Sequence, residues 1–175
     1  MGISEARLRW NRGKYHAVSA SPEACHYLVR PLSESDLDRV MEMELQAYPY
    51  PWTRGIFSDC LRVGYECWGL QAGSSLAAYC VLTHAAGESH LLNLCVAPQW
   101  QRRGLGGILL GHCIRLAISQ GCKHMFLEVR PSNDAGVALY QHNGFKMIGE
   151  RPGYYTAGDS REDAIVMQLE LAEKA

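Results

Sequence analysis

A strand, a glycine-rich turn and a helix follow one another between residues 88 and 121, and this order constrains the fold more than any other feature of the chain. The apolar run that ends before Pro98 predicts a buried strand. Three glycines, which have no side chain, lie where the chain then turns into the helix, at Gly104, Gly106 and Gly107. Backbone N–H groups at such a helix N-terminus form a binding site for negative charge. The segment therefore predicts a site for a phosphate or pyrophosphate group.

The composition is that of one globular domain, with 175 residues of which 47% are apolar and 20% charged. A formal net charge of -1 excludes a protein that coats a polyanion, so we expect no direct nucleic-acid partner. No apolar run reaches the length of a membrane span, and the N-terminus lacks the apolar segment of a signal peptide. Met1-Gly2 begins like a myristoylation site, but Ala6 stands where Ser or Thr is required. We therefore expect a cytoplasmic monomer with no membrane partner.

The cysteines do not form a metal or disulfide pattern. Their number is odd and no C-x-x-C pair occurs among positions 25, 60, 67, 80, 95, 113 and 122. Several lie within apolar runs, which is typical of reduced core thiols in the cytosol. The histidines show no zinc spacing. We expect no metal, and we prefer reduced core thiols to a disulfide framework.

Residues 1–26 are set apart from the rest of the chain by basic residues that alternate with isolated apolar ones. This pattern predicts an N-terminal extension that is either poorly ordered or a short surface helix. A solvated tail is the interpretation we prefer, and an RNA-contacting arm is the alternative. Residues 27–175 are predicted to form the folded domain.

The elements of that domain alternate between strands and helices. Predicted helices cover 33–47, 53–61, 104–121 and 133–143, and predicted strands cover 27–31, 66–72, 76–84, 88–96, 125–129, 145–149 and 164–171. The segment 48–52 cannot be helical, because residues that precede proline are pushed towards extended conformations. A hairpin followed by strands on both sides of a helix predicts an α+β fold of three layers, with helices on both faces of the sheet.

Three further features carry candidate chemistry. Glu128 interrupts an apolar strand, so its carboxylate either points to solvent or lines a cleft. Tyr140 comes late in an amphipathic helix, where it is either a core residue or a proton donor. A phenol with a pKa near ~10 can protonate a sulfur anion whose thiol has a pKa near ~8.5. The pair Tyr154-Tyr155 is predicted on a loop before the last strand, where it either packs or lines a peptide groove.

From residue 27 onwards the chain resembles the GNAT N-acetyltransferases, and more narrowly the bacterial RimI-type peptide N-terminal alanine acetyltransferases. The glycine loop alone indicates only the wider family. The run L-E-V-R-x-S-N, the tyrosine pair and the late R-E-D-A are more specific. The resemblance is carried by Tyr48-Pro-Tyr-Pro-Trp52, by Asn93-Leu-Cys-Val96 with the loop 101–107, by residues 127–133, by Ala138-Leu-Tyr140 with Gly144-Phe145, and by 154–164.

The resemblance implies the GNAT fold, whose mixed, mostly antiparallel sheet is splayed between its fourth and fifth strands and holds acetyl-CoA in the gap. The pantetheine arm is expected to pair with the backbone of Leu94, Cys95 and Val96. The pyrophosphate is expected on the N–H groups of Arg103, Gly104, Leu105, Gly106 and Gly107, with charge added by Arg102 and Arg103. Asn133 matches the family's side-chain contact to this co-substrate.

The resemblance also implies roles in catalysis, with Glu128 as the general base and Tyr140 as the acid that protonates the departing thiolate. The acetyl group passes directly to the amine, so Cys95 need not be a nucleophile. Glu88 and His90 are minor candidates for proton relay. Trp52, Tyr154 and Tyr155 are expected to contact the acceptor, and Glu44 or Asp59 could contact a basic ribosomal tail.

The implied acceptor is a protein N-terminus, namely the alanine of small-subunit ribosomal protein eighteen. An α-amine has a pKa of about 7.7–8.0, so it is partly neutral in the cell, whereas a lysine amine near ~10.4 is not. Two alternatives stay open at this point. One is a GNAT enzyme that acetylates a small-molecule amine or a lysine side chain. The other is a non-catalytic acyl-CoA-binding module.

Overall fold

The computed structural model describes residues 27–171, which form seven strands and four helices. The strands are β1 (Tyr27–Pro31), β2 (Glu66–Ala72), β3 (Ser75–Ala85), β4 (Glu88–Val96), β5 (His124–Val129), β6 (Lys146–Ala157) and β7 (Ser160–Glu170). The helices are α1 (Leu37–Ala47), α2 (Arg54–Arg62), α3 (Leu105–Ser119) and α4 (Asp134–His142). The extension predicted over residues 1–26 lies outside the described residues.

Local capping explains where the helices begin. A short 3₁₀ turn precedes α1, and the Asp36 carboxylate there accepts the N–H of Ser33 at 2.9 Å. The hydroxyl of Thr53 accepts the N–H of Ile56 at the start of α2. Asn133 caps α4 in the same way, because its side-chain oxygen accepts the N–H of Gly136 at 2.9 Å. These caps lie where the sequence predicts them.

One mixed sheet joins all seven strands in the order β1-β2-β3-β4-β5-β7-β6. The pairs are antiparallel except β4 with β5, which is parallel and short. Those two strands pair only from Glu88 opposite His124 to Leu91 opposite Leu127. Beyond Leu91 they separate, while β4 continues beside β3 as far as Val96. The predicted gap between the fourth and fifth strands is thus confirmed.

The core fills both faces of the sheet, as the alternation of side chains along a strand requires. Ala78, Cys80 and Leu82 of β3 pack with the buried side of α3. Tyr79 and Val81 of the same strand point the other way and pack with residues of α1 and α2. Helices therefore cover both faces, in agreement with the prediction.

The last two strands are longer than predicted. Strand β6 runs through Tyr154-Tyr155, which the sequence pattern had placed on a loop. Pro152-Gly153 suggests a break, but the register of β6 against β7 shifts between Arg151 and Tyr155, so a bulge holds these residues within the strand. Gly153 has φ +56 at this bulge, and its N–H donates to Asp163 at 2.7 Å. The loop prediction for the tyrosine pair is therefore wrong.

The cysteines behave as predicted in the described part of the chain. Six of them, at positions 60, 67, 80, 95, 113 and 122, are buried and free. Between residues 27 and 171 no helix is long and apolar enough to cross a membrane.

Candidate functional site

The gap between β4 and β5 exposes one edge of β4. The N–H of Ala97 donates to the Ala77 carbonyl at 3.0 Å, and Cys95 faces Tyr79 two residues further along the same ladder. Hydrogen-bonded pairs alternate in an antiparallel ladder, so the backbone of Cys95 bonds to β3. The backbone groups of Leu94 and Val96 therefore point into the gap.

Two side chains already contact this open edge. The Tyr48 hydroxyl donates to the Leu94 carbonyl at 3.1 Å. The Gln101 side-chain amide donates to the Val96 carbonyl at 3.1 Å. Both bonds agree with an edge whose carbonyls face the gap. The N–H groups of Leu94 and Val96 lie on the same side and are the donors that a ligand in the gap would meet.

The glycine-rich turn sits at the end of this edge. Gly104 caps α3 with φ +78, a left-handed conformation that glycine adopts at no steric cost. Ile108 donates to the Gly104 carbonyl at 3.1 Å, so the N–H groups of residues 105–107 are those that an α-helix leaves without internal acceptors. Arg102 also has a positive φ, of 61°. The guanidinium of Arg103 lies 4.8 Å from the centre of the Trp100 ring.

The larger of two adjoining cavities, about 720 Å³, connects the open edge to the glycine turn. We call it the donor cavity. Asn133 and the residues of α4 form another part of its wall. It brings together most of the predicted co-substrate contacts, namely Leu94, Cys95, Val96, Arg102, Gly104, Leu105, Gly106, Gly107 and Asn133.

The smaller cavity, about 170 Å³, lies against the carboxylate that the sequence singled out, and we call it the acceptor cavity. Glu128 lines it with a side chain that is 14% exposed, so the cleft interpretation of this residue is the correct one. One carboxylate oxygen of Glu128 forms an ion pair with the guanidinium of Arg151, at 3.1 Å. Trp52 and Tyr155 form other parts of the wall. The guanidinium of Arg130 lies 4.2 Å from the centre of the Tyr155 ring.

Tyr140 lines both cavities, as do Leu94 and Asn133. Its ring is buried and packs edge-on against Phe145 with the centroids 5.7 Å apart. Burial is the main cause that raises the pKa of Tyr140 above its usual value, and the charge of a Cys113 thiolate would raise it further. A raised pKa keeps the phenol protonated at neutral pH. The two cavities thus meet at a group that holds a proton.

Other candidates lie elsewhere. Tyr154 is 44% exposed and packs edge-on against Tyr155, outside the residues that line either cavity. Glu88 and His90 lie at the paired end of β4, where His90 stacks on Phe126, and neither lines the cavities. Asp59 forms an exposed pair with Arg62 on α2.

The sequence pattern gave no contact to Arg151 or Tyr48, and it gave Glu44 only a contact to the basic tail of the acceptor. Arg151 reaches Glu128 from β6. Tyr48 reaches the open edge of β4. Glu44 lies on the apolar stripe of α1, is only 1% exposed and lines the acceptor cavity. Its place within an apolar stripe is the sign in the sequence that indicates its burial.

Comparison with known proteins agrees with this geometry. The Acetyltransferase (GNAT) family matches residues 37–145, which is more than half of the chain. The chain therefore belongs to the GNAT family of acetyltransferases.

Within that family the chain is RimI-like. It is 35% identical over 144 residues to the ribosomal protein bS18-alanine N-acetyltransferase of Escherichia coli strain K12, an alignment that covers 82% of this chain and 97% of that protein. The Salmonella typhimurium protein of the same name is 36% identical over 141 residues, covering 81% and 95%. The crystal structure of the Escherichia coli enzyme matches with a TM-score of 0.79 at 34% identity, over 85% of this chain and 96% of that one. Ard1 from Thermoplasma volcanium, 23% identical with a TM-score of 0.76, shares the fold.

Proposed function

We propose that this enzyme transfers the acetyl group of acetyl-CoA to the α-amine of a protein N-terminus, and that its acceptor is the N-terminal alanine of ribosomal protein bS18. The observation that carries the proposal is the meeting of two cavities at Tyr140, with Glu128 on the acceptor side. Such a site holds a donor and an acceptor at the same time. The Escherichia coli and Salmonella relatives are named for the same substrate.

The residues of the donor cavity fit acetyl-CoA. The N–H groups of residues 105–107 suit its pyrophosphate, and Arg102 adds positive charge. Leu94 and Val96 offer backbone donors to an extended pantetheine arm, whereas the Cys95 backbone is committed to β3. Gly106 allows Leu139 of α4 to pack closely against the start of α3, because a Cβ there would lie 3.2 Å from a methyl of Leu139. Acetyl-CoA supplies the thioester that donates the acetyl group.

Two side chains handle the protons. Glu128 takes the proton that the amine loses when it attacks, either directly or through one water. Tyr140 donates its phenolic proton to the sulfur that departs, since this buried phenol is protonated at neutral pH. No covalent enzyme intermediate is needed, and the buried Cys95 thiol, whose pKa burial raises to about 12, is poorly suited to be a nucleophile.

The acceptor cavity suits a protein N-terminus. The carboxylate of Glu128 lines it and favours a positively charged amine over an anion. An α-amine with a pKa of about 7.7–8.0 needs little help to lose its proton, so one base is sufficient. Trp52 and Tyr155 supply flat apolar surfaces for the first residues of an extended peptide.

An acceptor panel tests the proposal. Acetyl-CoA is offered with a peptide that begins with alanine, with the same peptide blocked at its α-amine but carrying a lysine, and with a polyamine. We expect product from the free α-amine alone. Preference for the lysine peptide or the polyamine would overturn the N-terminal acceptor, and acetyl-CoA binding without product on every amine would indicate a non-catalytic module.

Mass spectrometry of ribosomal proteins tests the particular substrate. In cells that lack the enzyme, we expect the N-terminal alanine of bS18 to be unmodified, and in cells that contain it, we expect it to be acetylated. If the bS18 N-terminus were the same in both kinds of cell while the enzyme acetylated the alanine peptide, the proposed reaction would stand and bS18 would be rejected as its substrate.

A further inference from the structure

The buried carboxylate of Glu44 lines the acceptor cavity and accepts hydrogen bonds from three donors. Glu44 Oε1 accepts the backbone N–H of Trp52 at 2.9 Å and the side-chain amide of Asn93 at 3.3 Å. Glu44 Oε2 accepts the hydroxyl of Tyr79. Glu44 is 1% exposed, and burial is the main cause that raises its pKa. Burying a carboxylate costs hydration free energy unless hydrogen bonds compensate for it, as the three donors do here.

The three donors come from three different parts of the site. Trp52 belongs to the segment between α1 and α2 that walls the acceptor cavity. Asn93 lies on β4, two residues beyond Leu91, the last residue that pairs with β5. Tyr79 lies in the middle of β3, the partner of β4, and is fully buried. Glu44 therefore joins the acceptor wall to the strand at the point where the sheet opens.

We propose that Glu44 is a positioning residue for the acceptor, which sets the width of the acceptor cavity by holding the Trp52 segment against β4. The inference rests on the proposed function only in the choice of the acceptor peptide. Glu44 acts through Trp52 and Asn93, because both its oxygens are already engaged by donors of the protein. It differs from Glu128, whose carboxylate forms an ion pair with the half-exposed Arg151.

Loss of Glu44 is expected to change the KM for one substrate and not for the other. Without Glu44, the Trp52 N–H and the Asn93 amide lose their acceptor, and the wall of the acceptor cavity shifts. The glycine turn and the Leu94–Val96 edge line the donor cavity and have no bond to Glu44 among the described contacts. The KM for the peptide therefore rises, while the KM for acetyl-CoA stays unchanged.

The experiment compares Glu44→Met with Glu44→Gln. Methionine fills the space and accepts no strong bond, so we expect the peptide KM to rise about tenfold or more, with the KM for acetyl-CoA within about twofold. Glutamine keeps an acceptor for Trp52 and offers an amide to the Tyr79 hydroxyl, so we expect its peptide KM to lie within about threefold of wild type. Glu42→Met, on the exposed side of α1, is the matched control and should change neither KM.

Two kinetic results would overturn the proposal. An unchanged peptide KM in Glu44→Met shows that the wall does not depend on Glu44. An equal loss in Glu44→Gln and Glu44→Met shows that the negative charge itself acts. Tyr79→Phe, which removes one donor and keeps the carboxylate, should raise the peptide KM in the same direction by about threefold, and it serves if Glu44→Met fails to fold.

Amide hydrogen exchange keeps the test independent of the acceptor. We expect the Trp52 amide to exchange about tenfold faster in Glu44→Met and at nearly the wild-type rate in Glu44→Gln. If the wild-type enzyme acetylates no peptide, the proposed function fails, while the exchange result still decides the role of Glu44. If exchange at Trp52 is unchanged in Glu44→Met, the positioning role fails whatever the substrate is.

Discussion

The donor and acceptor cavities adjoin each other but are built from different parts of the chain. The donor cavity presents mainly backbone groups, from the glycine turn and from the open edge of β4. The acceptor cavity presents mainly side chains, among them Glu44, Trp52, Glu128 and Tyr155. A site made of backbone depends on chain geometry, whereas a site made of side chains depends on residue identity. A fold of this kind can therefore keep one donor while substitutions change the acceptor.

The largest effect is expected where the cavities meet. Glu128→Gln should lower kcat by about a hundredfold, because the amide cannot take a proton from the amine. Tyr140→Phe should lower it by at least roughly tenfold, because the departing sulfur loses its proton donor. Steady-state kinetics and calorimetric binding of acetyl-CoA are the measurements, and binding should be nearly unchanged in both variants. Full activity in both would show that the two roles are assigned wrongly.

A substitution at the glycine turn should affect the donor side alone. Gly104→Ala forces an L-residue into a left-handed conformation at φ +78, which costs about 1–2 kcal/mol. Because the N–H groups of α3 shift, we expect the KM for acetyl-CoA to rise about tenfold. The peptide KM should stay within about twofold. Urea denaturation should show the loss of stability.

The matched control for this position is Gly111→Ala, within the same helix. The nearest atom to an added Cβ there is the flexible end of Arg115 at 3.4 Å, so the variant should gain up to about 1 kcal/mol of stability. An equal rise of the acetyl-CoA KM in both variants would show that the left-handed cap is not what shapes the donor site.

A smaller effect is expected from substitution of Arg151, whose guanidinium pairs with the carboxylate of Glu128. Its side chain is 53% exposed, so its pair with Glu128 is worth less than about 1 kcal/mol. Arg151→Ala should lower kcat/KM for the peptide by about threefold and leave acetyl-CoA binding unchanged, whereas Arg151→Lys should recover most of the activity. A faster Arg151→Ala enzyme would mean that Arg151 competes with the acceptor for Glu128.

The smallest effect is expected from the ion pair of Arg30 with Asp36, which lies outside both cavities. Its removal should lower stability and change neither KM. Hydrogen bonding from Arg30 is the main cause that lowers the pKa of Asp36 to about 2. Because the folded pKa is below the unfolded one, the stabilisation is present above pH ~4 and is lost as the pH falls towards ~2. Asp36→Asn should therefore lose about 1 kcal/mol at neutral pH and less at pH ~2, since the pair is partly exposed.

Urea denaturation at the two pH values measures this difference. Asp38→Asn is the control, because the Asp38 side chain is 82% exposed in its pair with Arg54 and should contribute less. A change in either KM on substitution of Asp36 would show that the cavities are not separate from the outer edge of the sheet.

The donor side could be predicted from sequence because its requirements are local. Three glycines between a strand and a helix specify a turn, and the gap next to β4 followed from the family resemblance. The long β6 was not predicted, because Pro152-Gly153 has the composition of a turn while the bulge that holds it depends on Asp163 of the facing strand.

The acceptor side could be predicted only in part, because its contacts are distant in sequence. Glu128 stood out as a carboxylate in an apolar strand, and it lines the acceptor cavity. Glu44 meets Tyr79, 35 residues away, and Asn93, 49 residues away. No periodicity within α1 shows such partners, and the same holds for Arg151 reaching Glu128 from β6.

The open edge of β4 also has a consequence for solubility. A strand with unpaired backbone groups is a template for strands of other molecules, and proteins protect such edges. In the free enzyme, the Tyr48 hydroxyl and the Gln101 amide bind the carbonyls of Leu94 and Val96. An incoming strand would have to displace both bonds before it could extend the sheet. The two side chains thus protect the open edge of β4 against edge-to-edge association with other copies of the chain.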